Sequence, residues 1–472
     1  MVFYPRTLRE ATALIEKSIM HHMKRGASRL NLTKLLMFGY TSDVPERNIL
    51  IGYLVYSTVG FLLLMLPWAC KSDVSWIDNL FTAVSALSTT GLATVDIPGV
   101  YTIFGQCVIL ALIQMGALGY MTLSTYIIYR LTHHINNTTG NIVSASVSIP
   151  YGMKLHDLVS SIIHFTVLFE LLGFISFYVA LLLAGTPSAG WNALFLSISS
   201  FCTAGFSPFS DSLCQFNDNL LVNITVAVLS YAGAMGFIVM TDITYRIRKR
   251  HHSLTFTTKV ILLITCIMTI GGTAILAFSH TAAASQDWGH RLLLSFFQTM
   301  SAMTTVGYNT MDLSTLAVGP ILVFSLIMFI GASPSGTGGG VKCTSVSAVW
   351  GFVMSKLGLR HNVTFLRRTI PPYRIDTALS SVIAYGLMIF IGCIILAYCE
   401  PFALSQILFE ATSAIGTVGL STGITPELSA TGKATIIALM YIGRVGVITF
   451  GSAILARNNA ASHIFKKSDL AV

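Results

Sequence analysis

Residues 305–308 read Thr-Val-Gly-Tyr, and these residue types suit the binding of a dehydrated cation. Glycine tolerates backbone conformations that direct successive carbonyl oxygens to one side of the chain. The preceding threonine adds a hydroxyl oxygen, and rings of such oxygens can replace the water shell of an ion. Four residues are a weak signal, however, so the rest of the chain decides between an ion-binding segment and an ordinary loop.

The same arrangement occurs four times along the chain. The central glycines are Gly91, Gly205, Gly307 and Gly419. Each has a threonine two residues earlier, a serine six residues earlier and a phenylalanine ten residues earlier. Agreement at three offsets in four places argues against four unrelated loops. The predicted ion-binding residues are Thr89, Thr90, Gly91, Leu92, Thr203, Ala204, Gly205, Phe206, Thr305, Val306, Gly307, Tyr308, Thr417, Val418, Gly419 and Leu420.

The composition places the chain in a lipid bilayer. Of its 472 residues, 54% are hydrophobic and 10% are charged, and its mean hydropathy is +0.73. These values are too apolar for a water-soluble globular protein of this length. Apolar runs near the roughly 20 residues needed to cross a bilayer occur at Asn48–Trp68, Val100–Arg130, Leu158–Ala184, Leu220–Thr244, Val260–Phe278, Leu316–Val353, Ala378–Ala397 and Ala434–Ala456.

Together, the runs and the repeats predict an all-α membrane protein with eight transmembrane helices. In each repeat a span, a half-helix, a filter segment and a second span follow one another, and four repeats surround a pseudo-fourfold pore. A half-helix of about 12 residues rises about 18 Å and so ends near mid-membrane, where its carbonyl end favours a cation. The predicted parts are a cytosolic or interfacial segment at 1–47, pore repeats at 48–130, 154–247, 259–355 and 376–456, and a cytosolic tail at 457–472.

The basic residues predict the orientation. With the N-terminus in the cytosol, the predicted outer loops contain only Lys71, Arg291 and Lys433 among the 28 Lys and Arg residues. This asymmetry satisfies the positive-inside rule. We therefore expect a multi-pass protein of the cell membrane with both termini in the cytosol. The net charge of +9 then reflects topology, and we expect no binding to nucleic acid.

The four segments depart from the Thr-Val-Gly-Tyr-Gly run of potassium channels. The second glycine is absent from all of them, and its place is taken by Ala93, Ser207, Asn309 and Ser421. We expect a shorter filter with fewer ion sites than a potassium channel has.

The second span of each repeat carries a paired-glycine motif, and one copy differs. Three copies lie at Gly116–Gly119, Gly233–Gly236 and Gly443–Gly446, whereas residues 331–342 read Gly-Ala-Ser-Pro-Ser-Gly-Thr-Gly-Gly-Gly-Val-Lys. Glycine, serine and proline at this density disfavour a continuous helix. A kinked helix and an unwound intramembrane loop both remain open on this pattern. A phosphate-binding loop is excluded because the G-x-x-x-x-G-K-[ST] spacing is absent.

On these motifs the chain resembles the Trk/Ktr/HKT superfamily of K⁺ transporters over nearly its whole length, and most of all the membrane subunits of Ktr systems. The resemblance implies K⁺ as the transported ion and admits Na⁺ as a modulator. In plant members a serine at the first filter glycine accompanies Na⁺ transport, and this chain has Gly91 there. The resemblance also implies that the broken third inner helix is the gate. The implied gate residues are Gly336, Thr337, Gly338, Gly339, Gly340, Lys342 and Arg444.

Arg444 is the expected partner of that loop. A charge at membrane depth is usually paired or functional, and Arg444 occupies the place in the fourth repeat that the loop occupies in the third. Its guanidinium could bond free loop carbonyls, and anchoring of helix ends is the alternative. Glu170, His164 and Glu410 are candidate coupling sites for Na⁺ or H⁺, although buried structural groups look the same in sequence.

The resemblance further implies partners. Ktr membrane subunits work as homodimers on a cytosolic ring of nucleotide-binding subunits. The basic inner loops Arg246–His252 and Lys356–Arg374 could dock such a ring or contact membrane lipids. Alternatives are the channel-like subunit of a K⁺-pumping ATPase, which has additional spans, and a Na⁺-permeable member of the same superfamily. We expect neither an enzyme nor a covalent cofactor, because hydrolase motifs such as H-E-x-x-H and G-x-S-x-G are absent.

Overall fold

The computed structural model describes residues 45–119, 155–248, 253–279 and 287–455. Most of the predicted 1–47 segment, the 457–472 tail and the end of the predicted span Val100–Arg130 lie outside these residues. The described chain is almost entirely helical. Two short strands form the only sheet in these ranges, an antiparallel pair of β1 (Thr364–Phe365) and β2 (Arg368–Thr369).

In each predicted repeat a helix of 20–29 residues is followed by one of 12–17 residues, and the helices of the second predicted span come after it. In the first half of the chain they are α1 (Pro45–Leu64), α2 (Trp76–Leu87), α3 (Ile97–Val100), α4 (Ile103–Leu118), α5 (Leu155–Leu183), α6 (Ala189–Phe201) and α7 (Leu220–Arg248). In the second half they are α8 (Phe256–Phe278), α9 (Trp288–Thr304), α10 (Val318–Phe329), α11 (Cys343–Leu357), α12 (Pro372–Cys399), α13 (Leu404–Gly416), α14 (Ala430–Val445) and α15 (Val447–Leu455). Single 3₁₀ turns lie at Cys214–Phe216, Leu313–Thr315 and Thr425–Glu427.

Five described helices are long and apolar enough to cross a bilayer: α1, α5, α7, α8 and α12. Helices α14 and α15 make a sixth span if they are counted together, although they bend by 92°. Shorter apolar helices, α4 and α10, stand where two more of the eight spans are predicted. The count of eight spans therefore stays a prediction.

The four helices that precede the central glycines, α2, α6, α9 and α13, are called the short helices here, and most of their residues are buried. The phenylalanine that the sequence places ten residues before each central glycine is at most 1% exposed in every copy. This burial gives a packing reason for the repeated residue. These side chains are Phe81, Phe195, Phe297 and Phe409.

Each short helix ends in the same way, at a threonine in the left-handed region. Thr89, Thr203, Thr305 and Thr417 have φ between 50° and 60°. In every copy the N–H of the residue after the threonine donates to the carbonyl of the serine five residues before it, at 2.8–3.1 Å. This pattern is the Schellman end of a helix, here built on threonine instead of the usual glycine, at a backbone cost of about 1–2 kcal/mol each.

Candidate functional site

The segments that follow the short helices form a closed ring. We call them the T-x-G-x segments; they comprise Thr89–Leu92, Thr203–Phe206, Thr305–Tyr308 and Thr417–Leu420. A Cβ atom added to each central glycine would lie within 2.4 Å of a carbonyl oxygen in the next segment. The pairs are Gly91 with Ala204, Gly205 with Val306, Gly307 with Val418 and Gly419 with Thr90. The contacts therefore run through the segments in chain order and return from the fourth to the first.

Glycine is required at these four places for two reasons. Their φ angles lie between 68° and 91°, a region that side chains disfavour. The close approach of the neighbouring segment leaves no room for a Cβ atom.

The serine six residues before each glycine makes a hydrogen bond through its side chain, in addition to the carbonyl bond at the end of the helix. Its hydroxyl donates to the carbonyl of the residue after the glycine in three segments, at 2.7–2.8 Å. These bonds join Ser85 to Leu92, Ser199 to Phe206 and Ser301 to Tyr308. In the fourth segment the Ser413 hydroxyl accepts the N–H of Gly419 at 3.1 Å. The carbonyl after the glycine is thus bonded to the short helix in three of the four segments.

Tyr308 adds a bond between two segments. Its hydroxyl donates to the carbonyl oxygen of Phe206 at 3.0 Å, and its ring is fully buried. The Phe206 carbonyl therefore has two hydrogen-bond donors, Ser199 and Tyr308. The sequence predicts Tyr308 as an ion-binding residue through its backbone, but it does not reveal this side-chain contact.

The paired glycines of the predicted inner spans pack against the ends of the short helices. A Cβ atom added to Gly116, Gly233 or Gly443 would lie within 2.1 Å of the carbonyl oxygen of Leu87, Phe201 or Ile415, respectively. The second glycine of each pair has a positive φ, and the helix ends or kinks there. These second glycines are Gly119, Gly236 and Gly446.

In the third copy the inner helix is broken between α10 and α11. Residues 331–342 form a loop that packs against the kinked part of α7. The N–H groups of Ser333 and Thr337 donate to the carbonyls of Ala234 and Gly233, both at 3.1 Å. The kink of α7 supplies acceptors for the loop, since a kink frees carbonyls from the helical hydrogen-bond ladder. Of the two alternatives left open by the sequence, an unwound loop is the one observed.

This loop lies directly against the threonines of three of the four segments, Thr203, Thr305 and Thr417. Thr203 and Thr337 share a hydrogen bond of 3.0 Å between their hydroxyls. A Cβ atom added to Gly338 would lie 2.3 Å from Thr305 Oγ1, and one added to Gly339 would lie 2.3 Å from Thr417 Oγ1. The hydroxyls of Thr305 and Thr417 are buried and have no hydrogen-bond partner among the residues that the structure describes.

Arg444 contacts the remaining threonine, Thr89 of the first segment. Its Nη1 donates to Thr89 Oγ1 at 2.8 Å and also to the Thr337 carbonyl, while its Nη2 donates to the Gly116 carbonyl. One guanidinium therefore joins the first T-x-G-x segment, the loop and helix α4. Lys342 closes the loop on itself, because its Nζ donates to the Gly338 carbonyl at 2.8 Å.

A cavity of about 280 Å³ adjoins the loop. Its lining includes Tyr53, Gly119, Lys342, Tyr385 and Arg444. The basic residues Lys342 and Arg444 therefore adjoin a space large enough for several water molecules.

The predicted gate and ion-binding residues thus meet, and two of the candidate coupling residues lie apart from them. Glu170 on α5 accepts a hydrogen bond of 2.9 Å from Gln114 on α4 and a longer one of 3.8 Å from the thiol of Cys202, which directly follows α6. His164 is exposed on the same long helix. Within the described ranges, no group of three His, Cys, Asp or Glu residues could hold a metal ion.

Comparison with known proteins assigns the chain to a family. The model of the TrkH cation transport protein family matches residues 39–463. The chain belongs to the TrkH family. Its family is one of transport proteins and not of enzymes, and with its several apolar helices this TrkH-family chain is a multi-pass membrane protein.

Two similar relatives are named Ktr system potassium uptake protein B. The one from Bacillus subtilis is 33% identical and the alignment covers 89% of this chain and 95% of the relative. The one from Vibrio alginolyticus is 34% identical, with coverage of 85% and 90%. A third relative, the potassium/sodium uptake protein NtpJ of Enterococcus hirae, is 30% identical, with coverage of 89% and 95%.

A solved structure supports the fold. The crystal structure of the potassium transporter TrkH from Vibrio parahaemolyticus superposes with a TM-score of 0.69 and covers 89% of this chain and 86% of that protein. At 18% sequence identity, this likeness supports the fold alone.

Proposed function

We propose that this TrkH-family protein is the pore-forming subunit of a potassium uptake system. The observation that carries the proposal is the closed ring of four T-x-G-x segments. Backbone oxygens from four sides can replace the water shell of K⁺. Three of the similar relatives are named as uptake proteins for potassium or for potassium and sodium, which is the function proposed here.

The T-x-G-x segments are the proposed selectivity filter. Their threonine hydroxyls and the carbonyls up to the central glycine supply the ion-binding oxygens. The serine bonds to the next carbonyl in three segments support a filter shorter than that of a potassium channel. Four span, half-helix and span units around this ring, with eight transmembrane helices in all, are the proposed architecture.

The loop at 331–342 is the proposed gate. It lies against Thr203, Thr305 and Thr417, while Arg444 bonds Thr89. In this arrangement the loop and Arg444 together contact the threonines of all four segments. Movement of the loop away from the threonines is the proposed opening step, and the glycines at 336 and 338–340 provide its conformational freedom.

The proposed membrane topology places both termini in the cytosol, as the basic residues predict. The exposed segment Lys356–Arg374, with the β1–β2 hairpin, then faces the cytosol. We propose that it contributes to docking of a cytosolic nucleotide-binding ring or to contact with lipid headgroups. A homodimer and modulation by Na⁺ are further parts of the proposal, supported by the resemblance to Ktr membrane subunits.

The test is cation flux into proteoliposomes, K⁺ against Na⁺, with Gly91→Ser as the variant. A serine Cβ at position 91 would meet the Ala204 carbonyl at 2.4 Å and would strain a backbone with φ of 89°. We expect strong K⁺ preference in the wild type and a shift towards Na⁺ in the variant. Gly386→Ser is the matched control, because a Cβ atom there meets nothing within 4 Å.

Three results are decisive. Equal K⁺ and Na⁺ flux that Gly91→Ser leaves unchanged would reject the filter assignment. A wild type without flux is tested again with nucleotide-binding subunits added, and absence of flux there too would reject the uptake function. Na⁺ preference in the wild type would favour the alternative of a Na⁺-permeable transporter, for which the name of the Enterococcus relative is the supporting observation.

A further inference from the structure

Glu410 is a glutamate buried inside the fourth unit. It lies on α13, nine residues before Gly419, and its relative exposure is 0%. No Lys, Arg or His within the described ranges forms an ion pair with it. A buried carboxyl group in this position is costly, so its hydrogen bonds are informative about its role.

Both carboxyl oxygens of Glu410 accept hydroxyl hydrogen bonds from the chain beyond the ring. Ser421 donates to Oε1, and Thr425 donates to Oε2 at 3.1 Å. The two hydroxyl oxygens of Ser421 and Thr425 are themselves 2.9 Å apart. Ser421 Oγ also accepts the N–H of Gly423 at 2.9 Å. Glu410 therefore joins the short helix to the chain that leaves the fourth T-x-G-x segment.

The other three units have no carboxylate at the position of Glu410. The residue nine positions before the central glycine is Thr82, Leu196 or Gln298, and none is a carboxylate. Gln298 makes a weaker equivalent, a hydrogen bond of 3.3 Å from its Nε2 to Thr310 Oγ1. The fourth segment is also the one in which the serine of the short helix bonds the glycine N–H instead of the following carbonyl.

We propose that Glu410 is a positioning residue for cation selection. It fixes Ser421, which is two residues after Gly419, and through it the carbonyls of Gly419 and Leu420. In the first three units a serine bond holds the carbonyl that follows the glycine, and in the fourth Glu410 replaces that restraint. Small displacements of ring oxygens change their fit to an ion. The inference rests on the proposed filter function.

The test compares Glu410→Gln with wild type in proteoliposomes, measuring the K⁺/Na⁺ flux ratio and the KM for K⁺. Glutamine has nearly the same shape, but one acceptor oxygen becomes an NH₂ group that cannot accept the second hydroxyl bond. We expect the ratio to fall by about three- to tenfold, the effect of about one hydrogen bond. Thr425→Val keeps the carboxyl group and removes one donor, so its ratio should fall in the same direction even if Glu410→Gln does not fold.

Glu400→Gln is the matched control. Glu400 is 8% exposed and also accepts bonds from a serine, the N–H of Ser429 at 3.0 Å and its hydroxyl at 2.6 Å. It caps the start of α14 outside the ring, so its variant should lose stability and keep the wild-type flux ratio. A merely structural role of Glu410 would likewise lower the amount of folded protein and leave the ratio of the folded fraction unchanged.

The possible results separate this inference from the proposed function. A selective wild type with an unchanged ratio in both Glu410→Gln and Thr425→Val would overturn the positioning role alone. An equal loss of selectivity in Glu400→Gln would also overturn it. An intact ratio combined with a lost response to a Na⁺ or H⁺ gradient would reassign Glu410 to ion coupling. A wild type that does not select K⁺ would reject the filter function itself.

Discussion

At the residue scale, four equivalent threonines meet four different partners. Thr89 accepts from Arg444, Thr203 bonds Thr337, and Thr305 and Thr417 face glycines of the loop. The four segments are therefore similar in sequence, but the residues that contact their threonines differ from one segment to the next. One loop from a single unit can close such a ring only if its own residues differ from place to place.

The serine repeat leads to the first prediction. Ser301→Ala removes the hydroxyl that bonds the Tyr308 carbonyl at 2.8 Å. A buried acceptor without a donor costs about 1–3 kcal/mol, and a freed carbonyl can turn away from its place. We expect a lower free energy of unfolding and a lower K⁺/Na⁺ flux ratio, measured by thermal denaturation and proteoliposome flux.

The control for this prediction is Ser325→Ala on α10. The Ser325 hydroxyl is also buried and bonds a carbonyl at 2.8 Å, but that carbonyl belongs to Ile321 in its own helix. Its loss should leave the flux ratio unchanged. A Ser301→Ala protein with wild-type selectivity would contradict the role assigned to the serine.

At the element scale, Arg444 joins parts that a loop opening must separate. It bonds a T-x-G-x segment, the 331–342 loop and α4 through two different nitrogens. Arg444→Ala should lower the unfolding free energy by about 1.5–3 kcal/mol, the range for hydrogen bonds to charged groups. The variant should also raise the K⁺ flux measured without partner subunits, because the closed loop loses its hydrogen bond to Arg444.

Arg444→Lys sharpens this prediction. Lysine keeps the charge but concentrates its donors on one nitrogen, so it cannot reproduce the two-ended contact. Its flux should resemble that of Arg444→Ala more than that of the wild type. If Arg444→Ala left K⁺ flux and its regulation unchanged, Arg444 would have no part in gating.

The loop itself supplies the next prediction. In Gly338→Ala the new Cβ atom would lie 2.3 Å from Thr305 Oγ1 and 2.6 Å from the Cβ of Ala332. The loop cannot keep its closed position without moving, so we expect higher flux than in wild type. Gly319→Ala on α10 is the control, since its Cβ atom meets nothing within 4 Å. Unchanged or lower flux in Gly338→Ala at equal protein amount would contradict the proposed closed state.

At the scale of the whole molecule, the sequence predicts the elements better than their contacts. The Phe, Ser, Thr and Gly offsets identify the short helices and segments because each repeat makes the same local bonds. The broken helix follows from local composition. The pairing of Thr203 with Thr337, or of Arg444 with Gly116, depends on how distant units pack, and no local pattern encodes that.

Polar side-chain contacts also join neighbouring units on the side where the short helices begin. Asp96 of the first unit accepts from Ser210 of the second at 2.8 Å, and Asp218 of the second lies 2.6 Å from His290 of the third. Units joined in this way are neighbours in sequence. The fourth unit instead packs against the first unit, hundreds of residues earlier in the chain, and a specific contact joins the two.

That contact is the ion pair of Asp78 on α2 and Lys433 on α14, 2.7 Å apart with 14% and 13% side-chain exposure. Burial acts to raise the pKa of Asp78, but the hydrogen bonds from Lys433 and Ser75 outweigh it and hold the pKa below its usual value. Ionised Asp78 therefore favours the folded state. Its contribution is present above the pKa of the unfolded state, about 4, and is lost as the pH falls through the folded pKa.

We expect Asp78→Asn to lower the unfolding free energy by about 2 kcal/mol near neutral pH, and exposed Asp73→Asn to leave it nearly unchanged. The difference between wild type and Asp78→Asn should shrink in acid, because the Asp78 carboxyl of the wild type is then protonated and loses its charge. A double-mutant cycle with Lys433→Met isolates the pair, because the second substitution should cost little once the first has been made. Additive losses would mean that the two charges act separately, and closure of the fourth unit on the first would then depend on the apolar contacts around Phe81 and on the Arg444 bonds to the first unit.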